Sequence, residues 1–472
     1  MPAPTRHAAL LSLALLSLTA TAAGSNAYKT TVLVANSEKY APTAFVDPNL
    51  VNPWGLALRP PGAGGHIWVS NAGTGTTTTY IGDVGGTPLY QDGLKVVPVI
   101  SSARDLHPDM PPGADGMAQV TGQVYNAASD RPGQPVEFYV QGPAINYATG
   151  ASTGLNAGAA KFVFVTQDGT INAWRSNTAS GMLEAVVVKD YSTMDDFMER
   201  GLKARPGFNG VAMTTDGWTL NAQGEKVADN RLFAADFAAG RVMTFDNQWN
   251  DITASTPFAR PTGLTEIWHP FNVQVLGDGR VYVAWTENAL EIDEPTEEIP
   301  GLGRIAAYDR NGNLLQDYTA SSKLNNPWGM AIAPDSFGAL AGALLVANFG
   351  DGTIVAYDPT TGADLGYVKD VHGQPLVIDG IWGLAFGNGV ALGDANALYY
   401  TAGPDEERDG VFGRINLTSA VPEPQSWALM LAGGLWVLLR ARRTRVSWTR
   451  PRAARARPRS GAGEACCGAI AH

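Results

Sequence analysis

Asn52-Pro53-Trp54-Gly55-Leu56-Ala57 is repeated twice further along the chain, as Asn326-Pro327-Trp328-Gly329-Met330-Ala331 and as Ile381-Trp382-Gly383-Leu384-Ala385. Weaker copies are Gly207-Phe208-Asn209-Gly210-Val211-Ala212 and Pro270-Phe271-Asn272-Val273-Gln274-Val275, and Val120-Thr121-Gly122-Gln123-Val124 is the faintest. Each copy precedes a strongly β-prone run: Ile67 to Asn71, Phe162 to Thr166, Leu232 to Asp236, Val281 to Trp285, Leu344 to Asn348 and Leu398 to Ala402. A Gly-containing turn and a third β-prone run follow, as in Gly240 to Phe245 and Gly352 to Tyr357, with Asp246, Asp309 and Asp358 at the ends of third strands.

Six such units predict an all-β chain folded as a six-bladed β-propeller. A lone four-stranded sheet leaves one face wet; stacking sheet on sheet buries both, and closing the ring protects most edges. The small-residue phrase suits the innermost strand, where glycine permits close approach at the axis. The last unit runs out of strands after Phe412 to Leu417, and the run Thr30 to Val34 is expected to supply its fourth. Seven blades are the competing count, because Tyr80 to Lys161 is long and irregular.

The composition agrees. Of 472 residues, 54 are Gly and 30 Pro, and only 16% are charged, a turn-rich profile unlike that of a helical protein. The net charge of −11 conceals nine arginines between Arg440 and Arg459. Residues 1–439 hold 24 basic (33 − 9) and 43 acidic (44 − 1) groups, a balance of −19 that excludes nucleic acid as a partner on electrostatic grounds. The only cysteines, Cys466 and Cys467, lie at the extreme end, so the body has neither a disulfide framework nor a Cys zinc site.

Both ends read as addresses. Residues 1–23 have the form of a signal peptide: Arg6 and His7, an apolar run from Ala8 to Ala20, and small residues at Thr21-Ala22-Ala23. Residues 28–419 form the propeller. Residues 421–445 contain Pro422-Glu423-Pro424, an apolar run from Trp427 to Leu439, and Arg440, Arg442, Arg443 and Arg445. Those thirteen apolar residues would make a helix of about 20 Å, short of the ~30 Å hydrocarbon core. The arginines would hold the cytoplasmic side, leaving the body outside. Residues 446–472 are an Arg/Pro/Ala-rich tail of low complexity.

The C-terminal arrangement resembles the PEP-CTERM sorting signal. That resemblance implies an exosortase-type protease as partner in a Gram-negative bacterium, membrane insertion through 427–439 before processing, and a final place on the outer surface or outside the cell. Such signals end soon after their arginines, and the tail from Val446 departs from that pattern. The body resembles a family of PEP-CTERM-associated propeller proteins, through residues 50–57, 348–354 and 378–384, over roughly residues 28–417. More distantly it resembles NHL- and YncE-like propellers. The family brings no activity with it.

Catalytic signatures are few: the chain contains no Gly-x-Ser-x-Gly elbow, no P-loop and no His-Glu-x-x-His. Of His66, His107, His269 and His372, His269 is the best placed, beside Pro270-Phe271-Asn272. Asn52, Thr121, Asn209, Asn272, Asn326 and Asp379 lie at or beside the starts of the inner strands, in uneven register. Converging at the channel mouth, they would offer oxygen donors and a carboxylate to Ca²⁺, similar to the channel metal of six-bladed lactonases and gluconolactonase-like enzymes. The competing reading is that these residues form turns and cap backbone amides. The acidic runs Glu291 to Glu298 and Asp405-Glu406-Glu407 lack calcium-loop spacing and read as solvated loops. Trp54, Trp328 and Trp382 read as core packing rather than a sugar-stacking surface. Two functions follow: a non-enzymatic binding or scaffold module facing extracellular polysaccharide or a surface protein, or a Ca²⁺-dependent hydrolase of lactonase type.

Overall fold

Six sheets, each running from an inner first strand outward, carry the repeated phrase at their inner edges. The computed structural model describes residues 26–40, 45–101, 118–130, 135–177, 180–192, 197–199, 202–204, 206–288, 301–318 and 322–418. The signal segment, His107, the run Glu291 to Glu298 and everything beyond 418 lie outside the described residues. That set includes the apolar run and the sorting residues Pro422, Glu423, Pro424, Arg440, Arg442 and Arg443. Among the described residues there is no α-helix, only short 3-10 turns, and no helix is long and apolar enough to cross a membrane.

The first strands are Pro53–Ala57, Val120–Tyr125, Phe208–Met213, Trp268–Val275, Pro327–Ile332 and Ile381–Phe386. Each pairs antiparallel with the β-prone run expected beside it, and that run pairs with a third strand. Second strands such as Leu344–Asn348 and Phe162–Thr166 are buried at every position, which explains their unbroken apolar character. Most sheets end in a fourth, half-exposed strand; among the described residues the third sheet has three strands, Phe208–Met213, Leu232–Asp236 and Arg241–Phe245.

The fourth strand of the last sheet comes from the other end of the chain. Tyr28–Ala35 pairs antiparallel with Val411–Leu417, from Tyr28 opposite Leu417 to Ala35 opposite Val411. Tyr28 is locked in place by stacking on Phe337 at 4.5 Å and donating its hydroxyl to the Phe337 carbonyl at 2.7 Å. The irregular stretch after Tyr80 contains the first sheet's outer strand Val96–Pro98, then Val120–Tyr125, then a hairpin, Tyr139–Asn146 with Ser152–Ala159. That hairpin pairs with Ser180–Met182 in a separate small sheet.

Separate apolar clusters lie between neighbouring sheets. The largest spans the first three sheets, where Trp68 stacks on Phe162 at 4.1 Å. Each face is therefore dry, and the stability is distributed around the circle. The turns after third strands are set by aspartate: the carboxylate of Asp309 accepts the amides of Asn311 (2.8 Å) and Asn313 (3.0 Å), and Asp246 and Asp358 do the same locally.

Candidate functional site

Strand pairing places Leu56, Gln123, Val211, Val273, Met330 and Leu384 at one common level of the six first strands. The level before it holds Gly55, Gly122, Gly210, Asn272, Gly329 and Gly383. Neighbouring strands meet there without room for a side chain. A Cβ on Gly55 would lie 2.7 Å from the Thr121 carbonyl, on Gly122 2.6 Å from the Val211 amide, and on Gly383 2.7 Å from the Trp54 carbonyl. Gly210 abuts Asn272, and Gly329 abuts the Trp382 carbonyl. Asn272, the one non-glycine, bridges the remaining gap by donating Nδ2 to the Trp328 carbonyl at 2.7 Å. The circle of six strands is complete.

Before this level the axis is filled by rings. Trp54 and Trp382 stack at 3.6 Å, Phe349 stacks on Trp382 at 4.0 Å, and Trp328 meets both indoles edge-on. All three tryptophans are buried, so they are packing, as the repeat predicts, and not a sugar platform. Asn52 ties the stack together. Its Oδ1 accepts the indole N–H groups of Trp54 (3.1 Å) and Trp382 (3.2 Å), and its Nδ2 donates to Glu407 Oε2 at 3.0 Å. Trp328 donates its indole N–H to the Asn209 carbonyl at 3.0 Å.

The six residues expected around a channel cation occupy different levels. Thr121 and Asn209 lie one residue before the glycine level, Asn272 occupies it, Asn52 and Asn326 lie three before, and Asp379 lies four before. Each is engaged separately. Thr121 donates to the Phe208 carbonyl at 2.7 Å, and Asn209 Oδ1 accepts from Gln167 at 3.4 Å. Asn326 Oδ1 accepts the Thr286 hydroxyl, and Asp379, exposed, accepts the Asp405 amide at 3.2 Å. Asn52 and Asn326 have φ of 44° and 48°, the left-handed turn conformation that asparagine tolerates. Among the described residues no group of three or more His, Cys, Asp or Glu side chains is placed to hold a metal ion. His269 is buried against the plug, its Nδ1 donating to the Phe237 carbonyl at 2.5 Å.

The outer rim of the plug is acidic. Asp405, Glu406 and Glu407 run through three successive left-handed conformations, φ 61°, 54° and 64°, which cost conformational energy at every position. Glu407 is secured by Asn52, and Lys39 bridges Asp405 (3.1 Å) and Asp409 (2.9 Å). Burial pushes the Glu407 carboxyl upward, against the Asn52 hydrogen bond that pulls it down.

Past the glycine level the same strands open. A void of about 20 Å³ is lined by Gln123, Asn272 and Gln274. Gln123 donates to the carbonyls of Gly55 (3.0 Å) and Trp68 (2.6 Å), and Gln274 accepts the Met330 amide at 2.6 Å. Beyond them lies a cavity of about 740 Å³, formed by the carboxyl ends of all six first strands. Its wall is mostly aliphatic, with Arg59 and Asp216 as its charged residues. Asn388 fixes one side of the wall: its Oδ1 accepts the amides of Val390 and Leu392, and its Nδ2 donates to the Ala63 carbonyl at 2.7 Å.

No family model matches the chain. It is similar to two proteins of Acanthamoeba polyphaga mimivirus, uncharacterized protein R648 (27% identical over 391 residues, 82% of this chain and 80% of that one) and uncharacterized protein L690 (27% over 393 residues, 82% and 85%). Among solved structures it is similar to a PQQ-bound aldose sugar dehydrogenase from Streptomyces coelicolor (12% identical, TM-score 0.34, covering 84% of this chain and 100% of that one). Another is a Penicillium chrysogenum α-L-arabinanase (12% identical, TM-score 0.40, covering 82% and 98%). Likenesses this weak bring no ligand or reaction to this chain.

Sequence reasoning missed Gln123, Gln274, Arg59 and Asn388, and its solvated-loop reading of Asp405-Glu406-Glu407 is corrected at Glu407, which is half-buried against Asn52. A signal existed for the two glutamines, which stand in repeat copies where the strong copies carry Leu, Met or Ala. Arg59, Asn388 and Glu407 lie in loops outside the repeat, and only the closing of the ring brings them to the axis.

Proposed function

We propose that this chain is an exported six-bladed propeller that acts as a non-enzymatic binding module, with its binding site in the axial cavity. One observation carries the reading: an aliphatic-walled space of about 740 Å³ on the axis, closed behind by packed indoles, whose floor amides are already committed to backbone partners. Ligand sites have this make-up, apolar walls with a few fixed polar groups. Glutamines locked in this way fix the shape of the floor and supply no nucleophile or base. The sorting residues Pro422, Glu423 and Pro424 would deliver the module to the outer surface through an exosortase-type protease.

Nile red, which brightens in apolar surroundings, tests the cavity. The full chain should enhance its fluorescence, and Ala385→Trp, which fills the wall, should abolish the enhancement while melting temperature holds. Leu276→Trp is the second filling variant. Enhancement that survives both overturns the reading. A calcium-dependent rise in melting temperature together with lactone hydrolysis would replace it with the hydrolase reading. Replacing Pro422-Glu423-Pro424 by alanines should leave the C-terminus uncleaved in the producing cell, and unchanged processing would refute the sorting route.

A further inference from the structure

We infer that the axial cavity takes a small amphipathic anion, a carboxylate carried on an apolar body, with Arg59 as its anchor; this rests on the cavity being the binding site.

Arg59 follows the first inner strand and is half-buried in the cavity wall. Its guanidinium lies over the Tyr125 ring at 5.2 Å from the centroid, across the junction between the first and second sheets. On its other side it packs so closely on Gly65 that a Cβ there would come within 2.9 Å of Nε. Asn388 holds the turn behind it through the carbonyls of Arg59 (3.4 Å), Pro60 (3.5 Å) and Ala63 (2.7 Å). The cation is thus oriented by packing, yet among the described residues its guanidinium has no carboxylate within ion-pair distance and no hydrogen-bond acceptor. Among the other partly buried arginines, Arg414 pairs with Asp83 and Arg310 with Asp229, while Arg175, Arg260 and Arg304 donate to backbone carbonyls; Arg59 is the one of these that faces the axial cavity.

A half-buried, oriented guanidinium with its donors uncommitted is available to an incoming anion. Guanidinium meets carboxylate through two parallel N–H donors, the geometry for which arginine is suited. Leu58, Leu276, Ile332 and Phe386 offer apolar contact beside the polar groups of Tyr125, Thr215 and Asn388, so a ligand with an apolar body gains contact along much of the wall. The volume suits a body of ordinary small-molecule size, in the range of roughly 300–1,000 Å³. Asp216, the other charged wall residue, is exposed at the lip and screened by solvent. The acidic body, at −19 over residues 1–439 (24 − 43), disfavours an extended polyanion and leaves a compact monoanion as the better match.

The test compares dodecanoate with dodecanol on the full chain, read by calorimetry and by displacement of Nile red. Dodecanoate should bind at least about tenfold more tightly than dodecanol, as a charge-assisted pair would give. Arg59→Gln should bring dodecanoate down to the affinity of dodecanol, and Asn388→Ala, which loosens the arginine without removing it, should lower the preference in part. Ala385→Trp should exclude both molecules. Equal binding of the two by the wild type, or a preference that survives Arg59→Gln, overturns the anion assignment and leaves the cavity as the binding site. Binding of neither, with Nile red also dark, overturns both.

Discussion

The two ends of the axis are built from the same six strands and do opposite things. At the amino ends of the first strands Trp54, Trp328 and Trp382 close the centre; at their carboxyl ends about 740 Å³ stands open. The repeated phrase contains this profile in order. Tryptophan fills the plug, glycine lets strand touch strand, and Leu-Ala or Met-Ala lines the opening, where small side chains leave the centre unfilled. The lesson is that a repeat tuned for closure at one level produces a cavity two residues later, with no separate instruction.

Breaking the closure should have the largest effect. A Cβ on Gly122 would meet the Val211 amide at 2.6 Å and the Gly210 Cα at 2.8 Å, both backbone atoms that cannot swing aside. Gly122→Val should cost more than about 3 kcal/mol or prevent folding, measured by denaturant unfolding. At the open end Leu276→Ala, which removes a half-buried wall side chain, should cost about 1 kcal/mol or less. Equal costs at the two ends would mean that the faintest copy is not part of the closed circle.

Much of this was legible in the sequence, for a physical reason. The second strands are buried on both faces, so their apolar runs are unbroken and their positions are plain; the closing strand followed from counting. The candidate cation donors were not legible as a site. A common residue type near each strand start does not fix a common level, and each asparagine has its own partner: the indoles for Asn52, the Trp328 carbonyl for Asn272, Gln167 for Asn209 and Thr286 for Asn326. Arg59 and Asn388 were invisible because their roles depend on the turn at residues 59–63 meeting the last sheet across the ring closure.

Asn52 sharpens the contrast next. At φ 44° it accepts two buried indole N–H groups. Asn52→Leu would orphan both donors and force a branched side chain into a left-handed turn, at about 2–4 kcal/mol in all, seen as a lower denaturation midpoint. Asn52→Asp keeps the indole acceptor but sets a second carboxylate against Glu407, so its cost should shrink as pH is lowered. A leucine variant as stable as wild type would show that the indole hydrogen bonds do not hold the plug.

The last effect belongs to pH and acts at the plugged end. Asp236 is fully buried beside the plug; burial pushes its carboxyl up to about 6, against the Arg241 guanidinium and the amides of Ala239 and Gly207 that pull it down. A carboxyl with a raised folded pKa binds its proton more tightly in the folded chain than in the unfolded one. Its contribution is therefore greatest near pH 4, declines as pH rises toward 6, and is flat above, an amplitude of at most about 3 kcal/mol. The turn aspartates run the other way. Asp358, held below the usual carboxylate range by the amides of Thr361 and Thr360, stabilises above its unfolded pKa and loses that contribution in acid. Bulk acid sensitivity mixes the two signs, so the readout is the difference between wild type and Asp236→Asn in melting temperature from pH 4 to pH 7. Wild type should lose ground to the variant as pH rises through that window. A difference that is flat, or that rises with pH, would mean that Arg241 and the two amides outweigh burial at Asp236.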